Sequence, residues 1–424
     1  MEENPHTHAH DHSHYHFQSQ RHAHFQSQRH AHPRPETLSE PTHADAGRST
    51  RRDFLRILMS GALSGATILE LAFHRAAWAR AASASGDAKL FDVQKVAEGV
   101  FFAQARPQAA INCNAAIFVR SADVVVVDAH SKPSAAAALI AQLKREVTSK
   151  PVRYVINTHF HWDHTQGNHA YRAAAEPVDF ISTAATKQLM ADVGPARTKA
   201  ALDAIPQQIE TLRKQSEKAT SAEEKAFCAD QIRQLEAFAG ELKNYTPELP
   251  TITFENSHLL QDAAFDLHLG FHGRAHTSGD LFVFCPQKQS MATGDACIGW
   301  IPNLGDGFPK AWPGTLDKIA QTDFKHILGG HGSLQSDRVV MTGLRNYIEE
   351  LTGRVEQSKG KGLSISDMQT QITVASLKSL SSNGYGAYVA KSMASGIPHF
   401  GEMPPLQDLV NENITDIYKK LDNA

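Results

Sequence analysis

Apolar residues recur along the chain with two different periods, and this pattern predicts strands and helices in alternation from residue 89 onward. Short β-branched and aromatic runs predict strands at residues 91–93, 99–102, 114–119, 124–128 and 152–157. The third and fourth of these strands form a predicted hairpin with its turn at residues 121–123. Pro133 then begins an alanine-rich segment with helical spacing of its apolar residues. The pattern indicates a mixed α/β domain.

Residues 195–245 interrupt this alternation. Apolar residues recur every three or four positions from 202 to 212 and again from 228 to 242, and residues 221–224 between them have the form of a capping box. We predict an antiparallel helical pair that is inserted into the α/β domain. The insertion contains no histidine, so we expect it to shape access to a site without supplying ligands. The sequence leaves three arrangements open: a roof over the active site, a pair packed away from it, or a coiled-coil contact that makes the protein an oligomer.

The last quarter of the chain carries two further amphipathic segments. Residues 335–358 and 406–421 both show apolar positions at helical spacing. We therefore predict a C-terminal helical extension at residues 336–424, which carries no recognisable chemistry of its own.

The first 50 residues have a different composition. They hold 11 of the 24 histidines of the chain and few aliphatic side chains. A segment of this kind buries too little apolar surface to offset its chain entropy, so we expect residues 1–50 to be a disordered leader. Histidine-rich tracts can bind metal, but a solvated tail or an over-extended translation start is the simpler interpretation.

Residues 51–81 resemble a twin-arginine export signal. Arg51 and Arg52 precede an apolar, glycine-containing segment, and Ala79 and Ala81 belong to small-x-small pairs typical of a cleavage site. A buried amphipathic helix is the alternative. The resemblance implies a partner in the twin-arginine export machinery, a periplasmic or secreted protein, and no stable membrane span after cleavage.

The overall composition narrows the class of protein. Hydrophobic residues make up 41% of the chain, charged residues 21%, and the formal charge is −3, as in ordinary soluble globular proteins. No basic field argues for a nucleic-acid partner. The cysteines are few and widely spaced, at Cys113, Cys228, Cys285 and Cys297, and they do not form a disulfide scaffold.

Candidate chemistry is concentrated directly after the predicted strand at residues 152–157, in the run Thr-His-Phe-His-Trp-Asp-His. Side chains two positions apart point the same way in extended backbone, so His159 and His161 can converge on one cation. Asp163 and His164 follow where the chain turns and can face a second cation. Imidazole nitrogens and carboxylate oxygens suit zinc, which binds them at about 2 Å.

The spacing His-x-His-x-Asp-His after an apolar strand resembles the signature of the metallo-β-lactamase superfamily of hydrolases. Three later positions match that family in order: His276 in Arg-Ala-His-Thr, Asp295 in Thr-Gly-Asp, and His331 in Gly-Gly-His-Gly. The resemblance covers residues 89–335. It implies the αββα sandwich of the family, here an α/β fold with a helical insertion and C-terminal helices.

The resemblance also implies a ligand set for two zinc ions. Seven side chains compose it: His159, His161 and His276 for one cation, Asp163, His164 and His331 for the second, and Asp295 as a bridge between them. Asp163 is in addition the candidate catalytic residue, because its position suits orientation of the attacking hydroxide.

The implied activity is zinc-dependent hydrolysis of a small-molecule substrate by a metal-bound hydroxide, with a carbonyl compound such as an ester, lactone or amide as the leading substrate class. A class B-like β-lactamase is an alternative. Asp295 stands where one lactamase class has a zinc-binding cysteine, and Cys297 lies two residues later. The other class, which shares the Asp-His pair, normally lacks a bridging aspartate, so both departures weigh against the β-lactamase alternative.

Two further hypotheses place the protein in other functional classes. The first is a non-haem iron redox enzyme, but di-iron relatives usually replace the second histidine of the motif with an acidic residue, and His161 is present. The second is a metal-handling protein without catalysis, supported only by the leader.

Two neighbouring features stay open at the sequence level. Asp128 ends a predicted strand and is either a partner of a metal ligand or a turn cap. Residues 300–308 form an aromatic, glycine-rich loop that either lines a substrate pocket or connects two elements.

Overall fold

The structure is a computed structural model that describes residues 90–106, 113–174, 177–396 and 405–421. The predicted leader at residues 1–50 and the twin-arginine segment at residues 51–81 lie outside the described residues.

The described residues form a first sheet of seven strands in the spatial order of the chain. The strands are β1 (Phe91–Ala97), β2 (Val100–Ala105), β3 (Ala115–Val119), β4 (Val124–Val127), β5 (Val152–Ile156), β6 (Asp179–Thr183) and β7 (Ile252–Phe254). Pairing is antiparallel from β1 to β4 and parallel from β4 to β7. The hairpin predicted from the apolar pattern is β3–β4, with Ile117 opposite Val126.

A second sheet of five strands has the order β12-β11-β10-β9-β8. Its strands are β8 (Ser257–Leu260), β9 (Leu267–Gly270), β10 (Phe282–Cys285), β11 (Ser290–Gly294) and β12 (His326–Gly329). Neighbours are antiparallel from β8 to β11, and β12 is parallel to β11. The parallel pairing makes β11 and β12 end at the same edge, where their loops supply candidate ligands.

The two sheets pack face to face, and helices cover their outer faces. The four valines of β4 are all buried and illustrate the arrangement. Val125 and Val127 belong to the apolar cluster shared with Val283 of the second sheet, whereas Val124 and Val126 belong to the cluster under the helices. Successive side chains of a strand point to opposite faces, so a strand buried on both sides is apolar throughout.

Helices on the first sheet are α1 (Pro133–Glu146) and α3 (Asn168–Ala174), with a one-turn helix α2 (Trp162–Thr165) between β5 and α3. Leu139 and Leu143 of α1 lie in the same buried cluster as Phe180 of the sheet. The second sheet is covered by α7 (Trp312–Ile319) and by C-terminal helices. This is the αββα sandwich predicted from the sequence.

The C-terminal region of the described chain is helical, as predicted. It consists of α8 (Val339–Gly360), α9 (Ile365–Gln371), α10 (Lys378–Ser381), α11 (Tyr385–Gly396) and α12 (Leu406–Lys420). Leu344, Tyr385 and Val410 from three of these helices share one buried cluster with Phe282 of β10. The extension therefore packs as part of the second sheet's covering layer. Within the described ranges, no helix combines the length and apolarity needed to cross a membrane.

The insertion begins after α4 (Ala184–Asp192) and consists of α5 (Gly194–Lys218) and α6 (Ala222–Leu242). Ser221 caps α6, because its side chain accepts a hydrogen bond from the Glu224 amide. Ile205 and Leu212 of α5 pack with Leu235 of α6 in a separate apolar cluster. The two helices form the predicted pair.

Candidate metal centre

Loops at the carboxyl ends of β5, β11 and β12 converge at one edge of the sandwich and carry most of the candidate ligands. In the loop after β5, the Asn157 side-chain amide donates to the His164 carbonyl oxygen at 3.0 Å and to the Asn168 side-chain oxygen at 3.1 Å. These bonds draw the two ends of the histidine motif together. A buried asparagine satisfied in this way holds a tight loop in one conformation.

Glycine at position 330 allows two of these loops to touch. A Cβ atom placed on Gly330 would collide with the Asp295 carboxylate and lie 2.7 Å from Cε1 of the His164 ring. Because Gly330 has no side chain, the loop after β12 can lie directly against the loops after β5 and β11.

Three imidazoles form the first group. The His161 Nδ1 atom lies 3.1 Å from His159 Nε2 and 3.0 Å from His276 Nε2. Ring nitrogens bound at 2.0–2.1 Å to a tetrahedral zinc would be about 3.3 Å apart, which is close to these separations. His159 and His276 are buried, and His161 is partly exposed. The geometry matches three corners of a tetrahedral site with one side open towards solvent.

A second group contains one carboxylate and two imidazoles. Asp163 Oδ2 lies 3.0 Å from His331 Nε2 and 3.3 Å from His164 Nε2. Helix α2 sets this arrangement, because it places Asp163 and His164 in its first turn directly after His161. All three side chains of the group are buried.

Asp295 lies between the two groups. Its Oδ1 atom is 3.4 Å from His164 Nε2, and its Oδ2 atom is 3.4 Å from His331 Nε2 and 3.7 Å from His276 Nε2. One carboxylate therefore faces an imidazole of the first group and both imidazoles of the second. This is the position that a bridging ligand requires.

Opposite charges dominate the electrostatics of the second group. Burial alone would raise the pKa of Asp163 and of Asp295, but His164 and His331 together hold both pKa values well below the usual range. Burial alone would lower the pKa of His331, but Asp295 and Asp163 raise it to about 10, and His164 is raised in the same direction, chiefly by Asp163. Without a cation, protons on the two histidines balance the two carboxylates.

In the first group the histidine pKa values are shifted in the opposite direction. Burial, followed by the neighbouring histidines, lowers the pKa of His159 well below its usual value. Burial and His161 lower the pKa of His276 to about 3. Both rings are therefore neutral near pH 7, which is the form that binds a metal.

Buried polar atoms that lack a hydrogen-bond partner indicate whether a cation fits between the two groups. His164 Nε2 and Asp295 Oδ1 are buried and have no hydrogen-bond partner among the described residues. Such atoms are costly to leave unsatisfied. Both belong to the proposed ligand set and both face its centre, so the residues present fit metal ions well. Across the described chain, four overlapping groups of three donor side chains have the spacing of a metal site, and three of them consist wholly of the seven sequence-predicted residues.

Family comparison agrees with this geometry. The model of the family described as "Metallo-beta-lactamase superfamily" matches residues 110–331, which is more than half of the chain. The chain belongs to the metallo-β-lactamase superfamily. Members of this superfamily typically bind metal ions, and they include hydrolases.

The chain is also similar to several solved structures at low sequence identity. A metallo-β-lactamase from Pontibacter korlensis is 16% identical, with a TM-score of 0.43 over 61% of this chain and 99% of its own length. A metallo-β-lactamase from Hirschia baltica is 17% identical, with a TM-score of 0.43 over 61% and 98%. The stereoselective inverting sec-alkylsulfatase from Pseudomonas sp. is 15% identical, with a TM-score of 0.53 over 78% of this chain and 50% of its own.

Asp128 holds two of the candidate ligands in place, one directly and one through Thr158. Its carboxylate accepts hydrogen bonds from His164 Nδ1 at 2.8 Å and from the Thr158 hydroxyl at 2.9 Å. The Thr158 oxygen lies in turn 3.0 Å from His159 Nδ1. Asp128 has a φ of 70°, a left-handed conformation that costs energy for a residue with a side chain. The sequence left Asp128 open between turn cap and ligand partner, and the contacts favour the partner.

Two nearby thiols are not among the seven sequence-predicted ligands, although Cys113 belongs with Asp128 and His164 to the fourth group that has the spacing of a metal site. Cys113 is buried against Asp128 and His164, and burial raises its pKa to about 12. Cys297 lies in the apolar cluster of the C-terminal helices, and burial likewise raises its pKa to about 12.

Sequence reasoning missed two residues of the site. Asp306, in the loop after β11, lies with Oδ2 2.8 Å from His161 Nε2. Arg197 of the inserted helix α5 donates two hydrogen bonds to the same carboxylate. Burial opposes ionisation of Asp306, but Arg197 and His161 lower its pKa far below the usual range. Asp306 belongs to the loop at residues 300–308 that the sequence singled out, but no local pattern indicates its partner.

The same loop supplies an aromatic wall. The Trp300 indole stacks on the His331 ring, with 5.0 Å between ring centroids and 22° between planes. Of the two interpretations that the sequence left open for residues 300–308, this contact favours a loop that lines the site.

Proposed function

We propose that this chain is an exported, binuclear zinc hydrolase that cleaves a carbonyl compound, with an ester or lactone as the leading substrate. One observation carries the proposal: two groups of ligand-type side chains, all buried except the partly exposed His161, lie side by side and share the Asp295 carboxylate. A mononuclear site would not require a carboxylate that faces both groups.

The donor atoms favour zinc as the metal. Five imidazoles and two carboxylates offer nitrogen and oxygen only, with separations near those of a tetrahedral site. His159, His161 and His276 would hold one ion, Asp163, His164 and His331 the other, and Asp295 both. The chemistry that such a pair supplies is activation of water and polarisation of the scissile bond.

Protein side chains would then position the reactants. Asp163 is ionised at neutral pH, and its carboxylate can accept a hydrogen bond from the attacking water and so orient it. Asp128 and Thr158 hold the rings of His164 and His159, which keeps the ligand nitrogens aimed at the centre. Trp300 stacks on the His331 ring and would contact the part of the substrate that is not cleaved.

Export is the second part of the proposal. Its support is Arg51 and Arg52 ahead of an apolar segment, together with the small-x-small pairs at Ala79 and Ala81. Twin-arginine export carries folded proteins, which suits an enzyme that acquires its metal before it leaves the cytoplasm.

Metal analysis combined with a substrate panel tests the hydrolase. The full chain is purified, its metals are counted, and it is assayed on a lactone, an aryl ester, a β-lactam, a thioester and a phosphodiester. An alkyl sulfate completes the panel, because a protein of related fold cleaves one. We expect about two zinc ions per chain at the site and the fastest turnover on the ester or lactone.

Matched variants separate the site from the histidine-rich leader. Asp163→Asn should lower turnover at least about 100-fold, whereas Asp203→Asn, on the exposed face of α5, should leave it unchanged. A variant with both His161→Ala and His164→Ala loses a ligand of each group and so gives the zinc that the leader binds by itself. One iron per chain and no zinc would contradict the proposed metal, and turnover of the β-lactam alone would favour the β-lactamase alternative.

A further inference from the structure

Arg197 links the helical insertion to the candidate metal centre through one carboxylate. Its Nη1 and Nη2 atoms donate to Oδ2 and Oδ1 of Asp306 at 2.6 and 2.7 Å. Asp306 Oδ2 lies 2.8 Å from His161 Nε2 on its other side. A guanidinium fork bound to both oxygens fixes the plane of a carboxylate, which a single hydrogen bond does not.

The hydrogen bond to Asp306 decides which nitrogen of His161 faces the centre. With Nε2 carrying the proton that Asp306 accepts, Nδ1 keeps its lone pair and points at His159 and His276. His161 is also the most exposed imidazole of its group, with a side-chain exposure of 14%. Packing restrains this ring less than the others, so its orientation depends more on its partner.

Further contacts place the base of the helical pair against the histidine motif. The Arg197 guanidinium lies 5.0 Å from the Phe160 ring centroid, and Phe238 of α6 meets Trp162 edge to face at 5.8 Å. Thus the residues on both sides of His161 are held, one by each helix of the pair. An aromatic or cation–π contact of this kind contributes about 1 kcal/mol.

We propose that the helical insertion is a working part of the metal centre: Arg197 fixes Asp306, and Asp306 holds His161 with Nδ1 aimed at the cation. The inference rests on the proposed metal site and adds to it two positioning residues. The insertion then supplies no ligand but sets the affinity of the first cation. Partners of this kind are typically worth about 10- to 100-fold in metal affinity.

An ordinary surface ion pair is the competing explanation. Arg197 and Asp306 have side-chain exposures of 24% and 28%, and partly exposed pairs often add little to stability. The two explanations differ in what they predict for metal. A surface pair affects the stability of the metal-free protein and leaves zinc affinity alone, whereas positioning residues change zinc affinity beyond any change in the metal-free protein.

The experiment titrates Zn²⁺ alone into the full chain against a chromophoric chelator and melts each metal-free variant in parallel. Asp306→Asn should weaken zinc binding at the first group, which contains His161, by about 10- to 100-fold. Arg197→Gln should weaken it by a smaller factor, and Arg197→Lys by less again, because lysine keeps the charge but lacks the fork. Arg213→Gln, on an exposed position of the same helix, should match the wild type.

A double variant tests the order of the contacts. If Arg197 acts through Asp306, Arg197→Gln combined with Asp306→Asn should bind zinc as Asp306→Asn does alone. Full additivity of the two losses would overturn the coupling. Should Asp306→Asn not fold, the ranking of Arg197→Gln, Arg197→Lys and wild type carries the test.

The proposed function and this inference fail in different ways. If the wild type binds no more zinc than the variant with both His161→Ala and His164→Ala, the metal site itself is wrong, and the inference falls with it. If the wild type binds zinc tightly and neither Asp306→Asn nor Arg197→Gln changes the affinity, the zinc site stands and the role of the insertion is refuted.

Discussion

Removal of the metals should make the stability of this protein depend steeply on pH above neutrality. The cause is His331, whose pKa Asp295 and Asp163 raise to about 10 against the effect of burial. In the unfolded chain a histidine has a pKa of about 6.5. Between these two values the folded, metal-free protein holds a proton that the unfolded chain has released.

The sign of the effect follows from this difference. A group whose pKa is raised in the folded state contributes stability that is fully present below the unfolded pKa and is lost as pH rises through the folded one. Stability should therefore fall from about pH 6.5 to about pH 10. The lowered pKa values of His159 and His276 act only below about pH 6.5, so they leave this window unaffected.

The magnitude can be worked from the single proton on His331. Each pH unit between the two pKa values costs about 1.4 kcal/mol, so the step from pH 6.5 to 9 costs about 3 kcal/mol. The raised pKa of His164 adds to the loss in the same direction. In the zinc-loaded protein both rings would be deprotonated ligands, and the slope from these groups should vanish.

Urea unfolding of the full chain at pH 6.5, 7.5 and 9, with and without zinc, measures these slopes. His331→Asn should flatten the metal-free slope by about one proton. His326→Asn, at the opposite end of β12, should not change it. A free energy of unfolding that stays constant or rises from pH 6.5 to 9 in the metal-free protein would refute the electrostatic account of the second group.

Three further predictions concern other parts of the proposal. Asp295→Ala should weaken zinc binding at both positions, because its oxygens face both groups, and unchanged metal content and hydrolysis would make Asp295 a turn residue. Arg51→Lys combined with Arg52→Lys should hold the precursor in the cytoplasm, and unchanged fractionation would count against an export signal. Trp300→Ala should change the preference among substrates more than zinc content, because Trp300 stacks on His331 without offering a ligand, and equal loss on every substrate would argue against a pocket wall.

Local sequence patterns predicted much of the fold. The four valines of β4 and the alanine-rich helix after Pro133 follow from apolar spacing within one element. The turn between β3 and β4 and the helical pair follow from the same signals. These elements need no knowledge of the rest of the chain, because their spacing alone distinguishes strand from helix and buried face from exposed face.

The site residues likewise differ in whether a local sequence pattern indicates them. His159, His161 and Asp163 lie within five residues of one another, and the resemblance to the superfamily motif added the later candidates. The structure brings these seven predicted ligands together. Asp306 and Arg197 carry no such signal, because they are 109 positions apart and meet only when the insertion packs beside the loop after β11. A polar residue acquires this kind of role through a tertiary contact, which no local period encodes.

The carboxylates of Asp128 and Asp306, which contact the candidate ligands, explain why the fold tolerates the charged groups buried at this site. Asp128 accepts a hydrogen bond from His164 and is linked to His159 through Thr158. Asp306 accepts a hydrogen bond from His161. Each imidazole so held directs one ring nitrogen at the centre and donates the N–H of the other to a carboxylate or hydroxyl oxygen. The left-handed backbone at Asp128 costs energy, which a defined ligand geometry would offset, and the bidentate contact from Arg197 fixes the plane of the Asp306 carboxylate. The two carboxylates lie on different elements, one beneath the sheet edge and one under the insertion. Loss of Asp306 should therefore disturb an imidazole of the first group alone, whereas loss of Asp128 should disturb one imidazole of each group.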